Sequence, residues 1–223
     1  PMAEYITGDD GCALLLSRAD AVGNILSCSG GVWRMRPVLL ETMQERTMRA
    51  FGRRGYRRLL CRAGEFLEQD GHIAQALAIY RQCGLEDRIH AILVQEARKH
   101  PGVGNYWALR HYYQALSAAD IEKEPTLMAA ESVLYSVLMN TEKSEYWYSR
   151  LKQYAGAARG TARNEAVGEI AYLDVVLPHR GAGNMVSILK SIPGLMHSSG
   201  DVLRPVSLTN NQPSLMNGGK DFC

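Results

Sequence analysis

The polar and apolar positions of this chain change their rhythm near residue 37. Before it, an apolar cluster at Leu14–Leu16 and Ala19 follows Thr7-Gly8-Asp9-Asp10, which reads as a helix entry: a capping hydroxyl, then acids favoured at the N-terminal dipole. That helix is expected to end near Gly23. Two short apolar runs, Asn24–Cys28 and Val32–Met35, flank Ser29-Gly30-Gly31 and predict a hairpin. A helix followed by a hairpin is half of a winged helix.

From Pro37, which suits a first helical position, the pattern turns helical. Leu40, Met43, Thr47, Ala50 and Phe51 recur at spacings of three and four, and Gly52-Arg-Arg-Gly55 breaks the run. A second helix carries Tyr56, Leu59, Leu60, Ala63, Phe66 and Leu67 and stops at Asp70-Gly71. A third runs from His72 to Cys83, with Ala76, Leu77 and Tyr80 inward, and ends at Gly84.

An internal repeat organises these helices. Leu60, Ala63, Gly64, Leu67, Ala76, Tyr80 and Cys83 fit a helical hairpin with small residues where the two helices cross. Two periods of about 34 residues further on stand Met128, Glu131, Ser132, Tyr135, Ser144, Tyr148 and Leu151. Leu93, Ala97, Leu109, Tyr113 and Leu116 give an intermediate unit, and Ala166, Ile170, Leu173, Ala182, Val186 and Leu189 a fourth. The expected fold is therefore mainly α: a partial winged-helix hairpin over residues 1–36, then an α-solenoid of tetratricopeptide-like helical hairpins over 37–192. A generic helical bundle is the alternative. Past Pro193, turn formers such as Ser198-Ser199-Gly200, Asn210-Asn211 and Asn217-Gly218-Gly219 predict an irregular tail over 193–223.

Composition narrows the function more than the fold. Lys+Arg 25 against Asp+Glu 23 leaves a net charge of +2, too balanced for the whole surface to bind a polyanion. Five scattered cysteines without a C-x-x-C read as reduced thiols in a cytoplasmic protein. No apolar run is long enough for a membrane span, and the first residues lack the layout of a signal peptide. The chain reads as a segment of a longer protein.

Catalytic and metal signals fall away on inspection. Gly181-Ala182-Gly183 follows an apolar run, yet Val186 occupies the third glycine position of a dinucleotide fingerprint. Asn217-Gly-Gly-Lys220 lacks both the first glycine and the hydroxyl of a phosphate loop, since Asp221 follows the lysine. The six histidines form no i,i+4 pair. The expectation is no enzyme, no catalytic residue, no metal and no cofactor in this chain.

Two features remain. Arg46, Arg49, Arg53, Arg54, Arg57, Arg58 and Arg62 make a locally basic band, a phosphate or acidic-partner surface on one reading and a solvated face or interdomain contact on the other. Aromatic residues concentrate between Tyr106 and Tyr154. Trp107 with Arg110, and Trp147 with Arg150, sit at i,i+3, so each pair shares a helix face. Together with Tyr113 they are the expected lining of a ligand or partner groove, suited to anions or peptide side chains.

The order Gly8-Asp-Asp-Gly-Cys-Ala-Leu-Leu-Leu16, Asn24-Ile-Leu-Ser-Cys28 and Val32-Trp-Arg-Met-Arg-Pro37-Val-Leu-Leu-Glu-Thr-Met43 resembles the winged-helix end of large LuxR-type regulators akin to the maltose regulator. These belong to the signal-transducing ATPases with numerous domains. Arg57–Cys83 is similar to the first helical hairpin after it, and the region of Tyr106–Tyr154 to the family's repeats. The resemblance implies an arm that senses a small-molecule inducer or a regulatory protein. It further implies ATP bound by an ATPase domain outside this chain, and DNA bound by another outside domain. Arg36 stands where the family's motif has a histidine that reaches nucleotide phosphate in related ATPases. With Arg46, Arg49 and Arg53 it is a candidate phosphate or interdomain contact. A stand-alone helical-repeat scaffold that docks peptides is the rival, and a nucleic-acid binder using the arginine band is a third reading.

Overall fold

The structure, a computed structural model, describes residues 1–22, 25–29, 32–99, 105–177 and 179. It is mainly helical, with ten helices and one two-stranded antiparallel sheet among those residues. The chain divides into two compact units, Pro1–Ile89 and His90–Cys223. That division falls inside the stretch expected to form one arm.

In the first unit, α1 (Met2–Thr7) and α2 (Cys12–Ala21) precede β1 (Leu26–Ser29) and β2 (Val32–Met35). Thr7 closes α1 rather than opening α2: its hydroxyl bonds back to the Ala3 carbonyl. Asp9 makes the turn between them, its carboxylate accepting from the Gly11 N–H at 2.8 Å. The expected hairpin forms, with Leu26 paired to Met35 and Cys28 to Trp33. Arg36 then takes an extended backbone, as the residue before a proline prefers, and Pro37 opens α3 (Pro37–Gln69).

Gly52 divides α3. Its φ of 66° and ψ of 173° interrupt the helix, a backbone setting that a β-carbon would strain. The half after the kink packs against α4 (Ile73–Gln82) and α1, with Tyr5 tilted against Phe66 at 5.5 Å. Arg62 donates to the Tyr5 carbonyl and lies over its ring. Gly84, at φ 63°, supplies the left-handed turn that ends the helical pair.

The second unit holds most of α5 (Glu86–Arg98), then α6 (Asn105–Tyr113), α7 (Ala118–Ile121), α8 (Pro125–Val137), α9 (Thr141–Ala157) and α10 (Gly160–Val176). Ser117 caps α7 by accepting from the Asp120 N–H, and Asn140 caps α9 by accepting from the Lys143 N–H at 3.0 Å. Eleven of the thirteen residues of α8 are buried, so it is the central helix of this unit. It packs on α9 and α10, which also pack on each other.

Every described residue of the expected repeat register is buried or half-buried. The crossings differ in chemistry. Gly64 admits the Tyr80 ring, whereas Ser132 and Ser144 meet across α8 and α9 through reciprocal bonds to each other's carbonyl oxygens, at 3.0 and 2.8 Å. Two hydroxyls bonded this way let backbones approach without leaving a buried polar atom alone. Residues 181–223, including the last half of the fourth repeat unit and the expected tail, lie outside the described residues. Residues 171–176 are helical, as the stripe from Ala162 implies and a dinucleotide-binding strand would not be.

Candidate functional site

Arg150 extends from α9 to a bidentate ion pair with Glu122: Nη2 to Oε2 at 2.7 Å and Nε to Oε1 at 2.9 Å. Its Nη1 also donates to Gln153 at 2.9 Å. Glu122 raises the arginine's pKa, so the charge is permanent and already matched. A ligand anion would have to displace Glu122 to reach it.

The aromatic residues expected at a groove divide between core and surface. Trp147 is only 7% exposed and meets the neighbouring Tyr146 edge-on at 5.1 Å, whereas Tyr146 is 50% exposed. Tyr113 is fully buried, and its hydroxyl donates to the Leu93 carbonyl at 3.1 Å. Burial, and then the nearby carboxyls of Glu96 and Glu131, push that phenol's pKa well up. Both Trp147 and Tyr113 are therefore core side chains and not the lining of a groove. Arg110 is half-buried on α6. Trp107 belongs to α6, but its side chain lies outside the described residues. Of the five residues expected to line a groove, Arg150 has the geometry of a surface polar contact. Tyr146, a member of the same aromatic cluster but not among those five, is the exposed aromatic one helical turn before it.

Sequence reasoning also passed over Glu131 as chemistry. It is 1% exposed, and its Oε1 has no hydrogen-bond partner among the described residues. Burial pushes its pKa up to about 7, opposed by the positive charge of Lys143. Its signal was a charged residue at a repeat position that otherwise takes a core side chain.

Three tyrosines at expected repeat positions share one feature. Tyr80 donates to Glu68 at 2.8 Å, Tyr113 to a backbone carbonyl, and Tyr148 to Asp174 at 2.6 Å. Glu68 in turn binds Arg88 through Oε1 at 2.6 Å. Burial, then Glu68, holds the Tyr80 phenol protonated far above its ordinary range. Each ring is buried while its polar tip is satisfied.

The arginine band is mostly solvated. Arg46, Arg49, Arg53, Arg54, Arg57 and Arg58 are exposed, while Arg62 is half-buried against Tyr5. Arg49 pairs with Glu45 at 3.4 Å with both side chains in water. The kink at Gly52 separates Arg46 and Arg49 from Arg53, so the three do not form one continuous helical row. Arg36 is exposed at the strand-to-helix junction.

Among the described residues, no cluster of three or more His, Cys, Asp or Glu could hold a metal ion. No described helix is long and apolar enough to cross a membrane. No protein-family model, no curated protein and no solved structure matches the chain.

Proposed function

We propose that the chain is the effector-sensing arm of a LuxR-type transcriptional regulator, built of tetratricopeptide-like helical hairpins. In this reading it works in the cytoplasm, binds a small-molecule inducer or a regulatory protein, and performs no catalysis itself. ATP and DNA would be bound by other domains of the parent protein. The observation that carries the reading is the repeated hairpin chemistry. Tyr80, Tyr113 and Tyr148 recur in register, all nearly or fully buried and all with the hydroxyl engaged. Hairpins that repeat in this way stack into surfaces that recognise partners. The junction of β2 with α3 at Trp33–Pro37 adds support, since it falls in the order that the resemblance requires.

Signal transmission would rest on population shift: a ligand that binds one arrangement of the arm better draws the parent protein toward it. The Arg150–Glu122 pair offers a chemical route, because a ligand carboxylate or phosphate that replaces Glu122 frees a surface carboxylate. The test is genetic. Excising residues 90–177 in frame and profiling transcripts should remove a coordinated inducer response from a defined set of genes. A stand-alone scaffold would leave no such set, and that outcome would favour the rival reading.

A further inference from the structure

The first half of α3 is amphipathic, and among the described residues nothing covers its apolar side. Leu39, Leu40, Met43, Thr47, Ala50 and Phe51 lie on one side of residues 37–51, about four helical turns. No residue in that stretch is buried; the buried residues of α3 are Ala63, Gly64 and Leu67, all beyond the kink. Phe51 is 60% exposed, and Leu40 and Met43 are 45% and 41% exposed. A helix this short is marginal in water on its own, so an apolar stripe of this length calls for a partner.

Charge decides which partner. Residues 37–58 carry six arginines against Glu41 and Glu45, a local excess of four positive charges. Arg46 borders the stripe on the helical wheel and Arg49 follows it one turn on. Arg46, Arg53, Arg54 and Arg58 make no ion pair among the described residues. A second copy would bring the same positive charge against itself. Nucleic acid would use the arginines but would leave the apolar stripe in water. An acidic amphipathic helix satisfies both halves of the surface at once.

We infer that the face formed by Leu40, Met43, Phe51, Arg46 and Arg49 is a docking site for an acidic amphipathic helix of a partner protein. Apolar side chains of the partner cover the stripe, and its carboxylates pair with the arginines along the edge. The site is separate from the hairpin register, so its failure would leave the proposed function standing.

The test titrates the full chain into a labelled helical peptide of about 18 residues, with leucines at i, i+3, i+4 and i+7 and glutamates along one flank. A twin peptide carries lysine for each glutamate. The acidic peptide should bind saturably, lose affinity as salt rises, and bind at least about tenfold more tightly than its twin. It should also slow amide exchange over residues 38–51. Met43→Ser with Phe51→Ser, and separately Arg46→Glu with Arg49→Glu, should each weaken binding about tenfold or more without moving the melting temperature. Equal binding of the two peptides, or none by the acidic one, overturns the inference. So does a dimer in sedimentation that the two serines dissolve, which would give the face to a second copy. Duplex DNA protecting the same amides in place of the acidic peptide would give it to nucleic acid.

Discussion

A β-carbon at Gly64 would stand 2.6 Å from Cε1 of the Tyr80 ring, closer than any real side chain tolerates. The ring therefore uses the absence of a side chain on α3 to bring α4 close, and its hydroxyl then reaches Glu68.

Gly64→Ala should consequently cost about 1–3 kcal/mol of stability by overpacking, although alanine is the better helix former. Denaturant unfolding measures it. Tyr80→Leu should itself be costly, yet in its background the added methyl should cost less, because the obstructing ring is gone. Strictly additive effects would mean that the ring and the glycine do not constrain each other.

Glu131 gives the molecule a pH dependence of calculable sign. Its carboxyl is lifted from an ordinary value of 4.5 to about 7, so the folded state holds a proton that the unfolded state releases. Stability should be greatest at acid pH with respect to this group, fall as pH rises from about 4.5 to 7, and level off above. A shift of that size corresponds to about 3 kcal/mol. Glu131→Gln should flatten the fall and be the more stable protein at pH 8. Parallel stability curves for the two proteins from pH 5 to 8 would show that Glu131 is not held protonated.

Trp147 and Tyr146 are neighbours with opposite expected phenotypes. Trp147→Ala should cost about 3–5 kcal/mol, the penalty of emptying a core aromatic site. Tyr146→Ala, half in water, should cost far less. Comparing their melting temperatures checks the placement, and equal losses would contradict it.

The thiols should separate by reactivity. Burial, and then its neighbour Cys61, push the Cys83 thiol up to about 11, leaving about one molecule in a thousand as thiolate at pH 8. Cys28 is exposed on β1. Iodoacetamide followed by peptide mass spectrometry should label Cys28 well before Cys83 in the native protein. Rapid labelling of Cys83 would mean that α3 and α4 open readily.

The hairpin, the Pro37 helix start, the Gly52 interruption and the stops at Gly71 and Gly84 were all legible in the sequence. The hairpin rests on two apolar runs about a turn, and each of the others on one residue's own backbone preference. The burial of Ala76, Tyr80, Ser132, Tyr148 and Leu151 was legible too, because small and apolar residues recur there at helical spacing. What the sequence could not show is which side of a register position faces a partner helix. Trp147 and Arg150 share a face by spacing, yet one is core and the other an ion pair with Glu122, a residue 28 positions away. Thr7 shows the same limit: its hydroxyl donates back to the Ala3 carbonyl and accepts from the Asp9 N–H, and the helix beside it is α1, which it closes, not the α2 it was expected to open.

The central claim, that this is the sensing arm of a LuxR-type regulator, has one direct measurement. Sequencing the transcript through both ends of this coding segment should reveal G-x-x-x-x-G-K-[ST] upstream, in frame, and a helix-turn-helix downstream. A continuous reading frame that closes on both sides without either element would contradict it.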